Sequence, residues 1–393
     1  MTAIELPPPI QGPQGVKGDT GETGPQGPIG PPGPSGTGLD SGWHYLDAPG
    51  EPDYVAAWNF YDGQGKTWGP GRFRRDAAGC VFLELMITGV TNVRTVLFTL
   101  PVGFRPNQVV LCAIAAGSSG QSVIEVTPAG VVSVVASGTS ANWMNTASLN
   151  FMADDAQVID WVDMAPGLQN EWLPFSPAGV STPRYFVDNV GDMHFSGQIY
   201  GGLSGGTTNF YVLPLDLAPP LQLVFPTCAG PWSQNSMGVA QHARIDIRAD
   251  GGMNVAGYSG SGTNGFVSLD GMVMSAPKAH WFNPALINGW VAYGGAFHIP
   301  SFYVNRNGIC AIRGLMKSGT VTVPTDIVAA GGIPIPPNYQ QTFIVEANLG
   351  FARVDIVPDG KMQVVGFYDG GNNGYVSWNG RFFVPAEGPG VSV

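Results

Sequence analysis

Ala243-Arg244-Ile245-Asp246-Ile247-Arg248-Ala249-Asp250-Gly251 and, 109 residues on, Ala352-Arg353-Val354-Asp355-Ile356-Val357-Pro358-Asp359-Gly360 read as one strand and turn written twice. In Arg244-Ile245-Asp246-Ile247-Arg248 every second side chain is apolar, the pattern of a strand with one face in a core. The Asp-Gly that ends each stretch is turn chemistry. The same offset of 109 relates Gly265-Phe266-Val267-Ser268-Leu269-Asp270-Gly271 to Gly374-Tyr375-Val376-Ser377-Trp378-Asn379-Gly380, so the similarity extends over a whole module.

Working outward, a divergent first copy supplies Val123-Ile124-Glu125-Val126-Thr127-Pro128-Ala129-Gly130. Other landmarks recur in the same order. Trp43, Trp161 and Trp281 open the copies, and Trp58, Trp172 and Trp290 follow. Next come hairpins with Gly-ended polar turns, Asp76-Ala77-Ala78-Gly79, Asp188-Asn189-Val190-Gly191 and Asn305-Arg306-Asn307-Gly308. A proline-bearing segment then begins at Leu100-Pro101, Leu213-Pro214 and Ile333-Pro334. Short strands between frequent turns, with no helical stripe of useful length, predict an all-β chain. The expected architecture is three tandem β-sandwich, jelly-roll-like modules over 43–153, 161–277 and 281–385, then a tail over 386–393. The repeated tryptophans are expected as plugs in cores or between modules.

Upstream, residues 12–38 read GPQ GVK GDT GET GPQ GPI GPP GPS GTG, with glycine at Gly12, Gly15, Gly18, Gly21, Gly24, Gly27, Gly30, Gly33 and Gly36. In a collagen triple helix every third residue meets a crowded axis where only glycine fits, so nine unbroken triplets imply three chains. At ~3.1 Å per residue the stalk would extend about 80 Å. The expectation is therefore a homotrimer: a leader over 1–11 that attaches the trimer, a collagen-like stalk over 12–38, and the modules beyond it.

Composition narrows the function. Of 393 residues 57 are Gly and 34 Pro, and only 11% are charged, against roughly 25% in an ordinary soluble domain. A formal charge of −11 offers no basic surface for a phosphate backbone, so nucleic acid is not an expected partner. No apolar run reaches the roughly 18 residues of a membrane span, and MTAIELPPPIQ lacks the basic and apolar regions of a signal peptide. Cys80, Cys112, Cys228 and Cys310 are scattered and read as buried thiols in a reducing compartment.

No catalytic or cofactor motif has its required context, so the reading is not an enzyme, with no cofactor and no metal. Gly202-Leu203-Ser204-Gly205-Gly206 fits a nucleophile elbow without strand-turn-helix surroundings. Gly260-Ser261-Gly262-Thr263-Asn264-Gly265 fits a dinucleotide fingerprint, but a strand follows where a helix is needed. His44, His194, His242, His280 and His298 show no metal-ligand spacing. Asp154-Asp155 beside Asp160 has calcium-ligand chemistry, yet it lies between modules and reads as a solvated linker.

The order of parts resembles that of minor tail proteins of long-tailed phages infecting actinobacteria. It comprises a short leader, a collagen-like tract, then glycine-rich β modules with a D-x-x-G hairpin, an L-P-x-x-x-x-P segment and an ending like G-F-V-S-L-D-G. The likeness covers essentially the whole chain; the first copy departs from it with Asn145-Thr146-Ala147-Ser148-Leu149 at its close. The resemblance implies a homotrimeric appendage in the virion tail, made in the host cytoplasm. Its implied partners are other tail-tip or baseplate proteins, met through the amino terminus, and a host cell-envelope component, a glycan being one candidate. It transfers no receptor residue. Candidate surface contacts come from loops rich in Gly, Ser and Asn with flanking aromatics: Tyr258, Asn264 and Phe266 in one, Tyr368, Asn372, Asn373 and Tyr375 in the other. The rival readings are a bacterial collagen-like surface adhesin, a polysaccharide depolymerase and a purely structural virion spacer.

Overall fold

The computed structural model describes residues 40–54, 59–60, 68–88, 95–117, 120–137, 143–147, 149–154, 159–175, 181–233, 236–237, 241–258, 265–275, 280–322 and 324–386, all within the compact unit Pro34–Val393. The leader, the Gly-X-Y glycines and Asn264 lie outside them. Among the described residues the chain is all-β, with one 3-10 turn at Ala165–Gly167. No helix among them is long and apolar enough to cross a membrane.

Each repeat folds into two sheets. In the third, a small sheet of Ser301–Val304, Cys310–Arg313 and Arg381–Phe383 faces a seven-stranded sheet. The order in the larger sheet is Val291–Ala292, Leu315–Lys317, Asn372–Ser377, Gln341–Asn348, Gly350–Ile356, Met362–Tyr368, Thr325–Val328. The first two repeats thread their large sheets in the same order, with Val110–Ala116 and Leu223–Ser233 in the place of Gln341–Asn348. Even the irregularities coincide: a register shift falls between Val123 and Ile124, between Arg244 and Ile245, and between Arg353 and Val354.

Side-chain alternation explains the layering. Ile245 and Ile247 enter the core of module 2, and Val354 and Ile356 that of module 3. The intervening Arg244 and Asp246 lie side by side on the opposite face and pair at 2.6 Å; Arg353 and Asp355 pair at 2.7 Å. Trp172 and Trp290 fill module cores and are covered by glycines, since a Cβ added at Gly202 or Gly319 would fall 2.1 or 1.9 Å from their rings. The same Gly202-Leu203 turn supplies the carbonyl that accepts from Trp172 Nε1 at 3.0 Å. It is therefore a lid on a tryptophan rather than a nucleophile elbow.

The modules do not form a string. Val110–Ala116, Leu223–Ser233 and Gln341–Asn348 touch one another pairwise, so the three copies surround a common pseudo-threefold axis. Leu111, Val224 and Thr342 hold equivalent places, opposite Glu125, Asp246 and Asp355. A shared cluster draws Cys80, Phe82 and Met152 from the first copy, Phe186 and Val273 from the second, and Ile309, Ala311, Phe382 and Val384 from the third. Trp43, Trp161 and Trp281 pack on it, each under a guanidinium at 3.8, 4.0 or 3.7 Å. Arg72 and Arg184 supply two of these from equivalent strands, Arg72–Arg75 and Arg184–Val187; in the third module Ser301 holds that place and Arg313, opposite it, supplies the guanidinium. Asp154, expected in solvent, is 8% exposed: it accepts from Trp161 Nε1 at 3.0 Å and pairs with Arg184. Asp154 thus belongs to a joint, whereas Asp160 is exposed and Asp155 lies outside the described residues.

Each first hairpin turn is tied by one side-chain oxygen. Asp76 accepts from the amides of Ala78 and Cys80, Asp188 from Val190 and Asp192, and Asn305 from Asn307 and Ile309. Burial pushes the Asp76 carboxyl up to about 6 against the pull of those amides and of His194. Burial likewise takes Asp270 up to about 6. Both groups hold a proton more tightly folded than unfolded, so the stability they lend is complete below about pH 4 and lost as pH rises through about 6. His298 acts oppositely: burial and then Arg313 lower it to about 4, so its share is lost as pH falls from about 6.5 to 4. Asp76→Asn, which copies Asn305, is expected to stabilise the fold by about 2 kcal/mol at pH 7.5 and to do little at pH 4. Denaturant midpoints at both pH values check this; a loss of stability at pH 7.5 would refute the assignment.

Candidate functional site

Three module interfaces close the ring, and they differ. Between modules 1 and 2, Asp270 collects donors from both sides: Leu111 N at 2.8 Å, Gly197 N at 2.8 Å, Ser196 Oγ at 2.9 Å and the Gln198 amide. Around it Leu111, Val123, Cys228 and Phe266 form an apolar joint. Between modules 3 and 1, Ala115, Ile344 and Phe351 pack with Trp143 and Tyr368, and Arg353 lies 4.4 Å from the Trp143 ring centre. The interface between modules 2 and 3 is polar where these are apolar.

Register makes the contrast residue by residue. Cross-strand pairing places His242 where the other modules have Gln121 and Phe351, and Glu346 where they have Ala115 and Cys228. Glu346 Oε2 meets His242 Nε2 at 2.5 Å across the interface, both groups buried. Burial raises the Glu346 carboxyl above the usual range, against the opposing pull of His242 and then Arg244. Arg244 binds Asp246 through Nε and Nη2 at 2.6 Å each and donates from Nη1 to Tyr375 Oη at 2.7 Å. Tyr375 stands where the other modules have Trp143 and Phe266.

His242, Arg244, Glu346 and Tyr375 line a cavity of about 400 Å³, completed by Ala256, Gly257, Asn348, Leu349, Gly350 and Asp369. The volume falls within the roughly 300–1,000 Å³ of small-molecule sites. Space persists because Gly257 carries no side chain, and a Cβ built there meets no atom within 4 Å. On the rim, Leu349 and Asp369 hold positive φ of 66° and 52°, and Leu349 is 78% exposed. An exposed leucine in a left-handed turn is strained, and such strain gathers at ligand sites.

Among the described residues expected to form contact loops, Tyr375 lines this cavity. Phe266 is fully buried in the joint between modules 1 and 2 and is no surface residue; its place in the alternation turns it inward. Tyr258 ends the strand Gly252–Tyr258, and its side chain is outside the described residues. Tyr368 is half-buried and stacks on Phe351 at 5.3 Å. Asn372 accepts from Asn348 at 3.0 Å beside the rim, and Asn373 donates to the Gly319 carbonyl at 2.6 Å. Sequence reading missed His242, Arg244 and Glu346. The signal was Glu346 inside the apolar run Phe343-Ile344-Val345-Glu346-Ala347, at a place where the other copies carry small apolar residues.

Among the described residues no group of three or more His, Cys, Asp or Glu could hold a metal ion, and all four cysteines are buried and free. Comparison with family profiles, curated proteins and solved structures returned no match.

Proposed function

We propose that this chain is a structural and binding protein, a minor tail protein that forms a trimeric tail fibre or tail-tip appendage and takes part in host-surface recognition. The observation that carries the reading is the unbroken Gly-X-Y tract that precedes an all-β region in the sequence. Three chains in register would hold three heads at the end of one rod, and weak contacts made by each would add through avidity. The closed ring favours this use, because a head without loose modules presents its surface with little ordering cost.

Sedimentation equilibrium of the full chain is expected to give three times 41.2 kDa, and circular dichroism a triple-helix transition lowered by Gly24→Trp. The purified trimer is expected to sediment with actinobacterial envelopes, and an antiserum raised to it to label phage tails. A 41.2 kDa monomer at high concentration would overturn the trimer. A trimer that labels tails but binds no envelope would leave the spacer reading in its place.

A further inference from the structure

We infer that the cavity between modules 2 and 3 binds one neutral saccharide unit per chain. The inference rests on the recognition role proposed above and names the ligand class. Inside the exposed rim carboxylate of Asp369, the two charges set into the wall are matched at short range: Arg244 by Asp246 at 2.6 Å, and Glu346 by His242 at 2.5 Å. A phosphate, sulfate or carboxylate ligand would have to break one of these pairs and leave its partner buried, which is costly. A polyol needs no such exchange.

Hydroxyl groups both donate and accept, and the lining includes amide, carboxylate and phenol groups. Asn348, whose Nδ2 donates to Asn372 Oδ1 at 3.0 Å, and Asp369 add an amide and a carboxylate to the lining. Tyr375 brings an aromatic ring to the wall for the C–H side of a pyranose, with Arg244 5.3 Å from one side of the ring and bound to its hydroxyl at 2.7 Å. Ala256, Gly257 and Gly350 leave room for a ring against the backbone, and the exposed Leu349 stands at the lip as an apolar guide. At the same level the other two seams carry the fully buried Phe266 and Tyr368 stacked on Phe351, so the inference concerns this seam and one ligand per chain.

The test uses the full chain on an array of neutral, acidic and sulfated saccharides, followed by titration calorimetry with the neutral mono- and disaccharides retained. Binding of a neutral saccharide at one site per chain is expected, with affinity lowered at least about tenfold by Tyr375→Ala and by Gly257→Phe. Gly257→Phe fills open space and leaves both ion pairs alone, so an unchanged melting temperature separates a blocked site from a damaged fold. Retention of acidic or sulfated saccharides only, no retention at all, or binding that survives Gly257→Phe would overturn the inference. Envelope binding that persists in Gly257→Phe would defeat this inference and leave host recognition standing. Saccharide binding without envelope binding would do the reverse.

Discussion

Deleting residues 281–393 is expected to abolish the fold of the other two modules instead of leaving them as a shorter soluble protein. Cys80, Phe82, Met152, Phe186 and Val273 would lose the cover of Ile309, Ala311, Phe382 and Val384, and Gln341–Asn348 would vanish from the axis. The newly bared apolar surface is of the kind that drives association. The truncated chain should aggregate or bind a hydrophobic dye, whereas the intact head should unfold in calorimetry as one cooperative transition, separate from that of any stalk. A soluble, folded two-module fragment, or three independent transitions in the intact head, would mean that the modules are autonomous and the ring incidental.

Gly314→Ala and Gly197→Ala are expected to cost more than about 3 kcal/mol each. Here the strand leaves the small sheet and enters the large one, passing through φ of 118° at Gly314 and 96° at Gly197. A methyl group would lie 2.4 Å from the carbonyl oxygen of Ile299 or 2.2 Å from that of Thr182, both backbone atoms that cannot turn aside. Each glycine amide also donates inward, to Asn379 Oδ1 or Asp270 Oδ1 at 2.8 Å, so the crossing cannot relax without uncoupling the interface. Denaturant midpoints measure the cost, with Gly257→Ala as a control expected within about 0.5 kcal/mol. Near-wild-type stability of Gly314→Ala would show that the crossing has slack.

The first copy solves the same crossing without glycine, which accounts for its divergent ending. Leu85 takes the place of Gly197 and Gly314, and its amide donates to Thr146 Oγ1 at 2.9 Å. Thr146 in turn donates to the Leu83 carbonyl at 2.9 Å, so a hydroxyl does the work of the later Asp270 and Asn379.

The strands were legible because their signals are local. Alternation in Arg244–Arg248 and the Asx turns at Asp76, Asp188 and Asn305 depend on neighbours a few residues away. The ring was not, because its contacts join residues more than a hundred positions apart, such as Leu111 with Ser268 and Val224 with Ser377. One clue lay in plain view: Val110-Leu111-Cys112-Ala113-Ile114-Ala115-Ala116 is apolar on both faces, as a strand covered from two sides must be. The cavity was hidden for a further reason. It exists where the copies disagree, and attention to what they share passes over Glu346 and His242.

In an assembly of three identical chains every substitution on the axis appears three times, so a charge introduced at one seam is introduced at all. A chain that carries its own three copies escapes that rule. Cys228, Glu346 and Ala115 share one level of the axis, yet one seam became greasy, one ionic and one aromatic. Two can serve as glue while the third is free to change its chemistry, and a new specificity can arise there without loosening the rest.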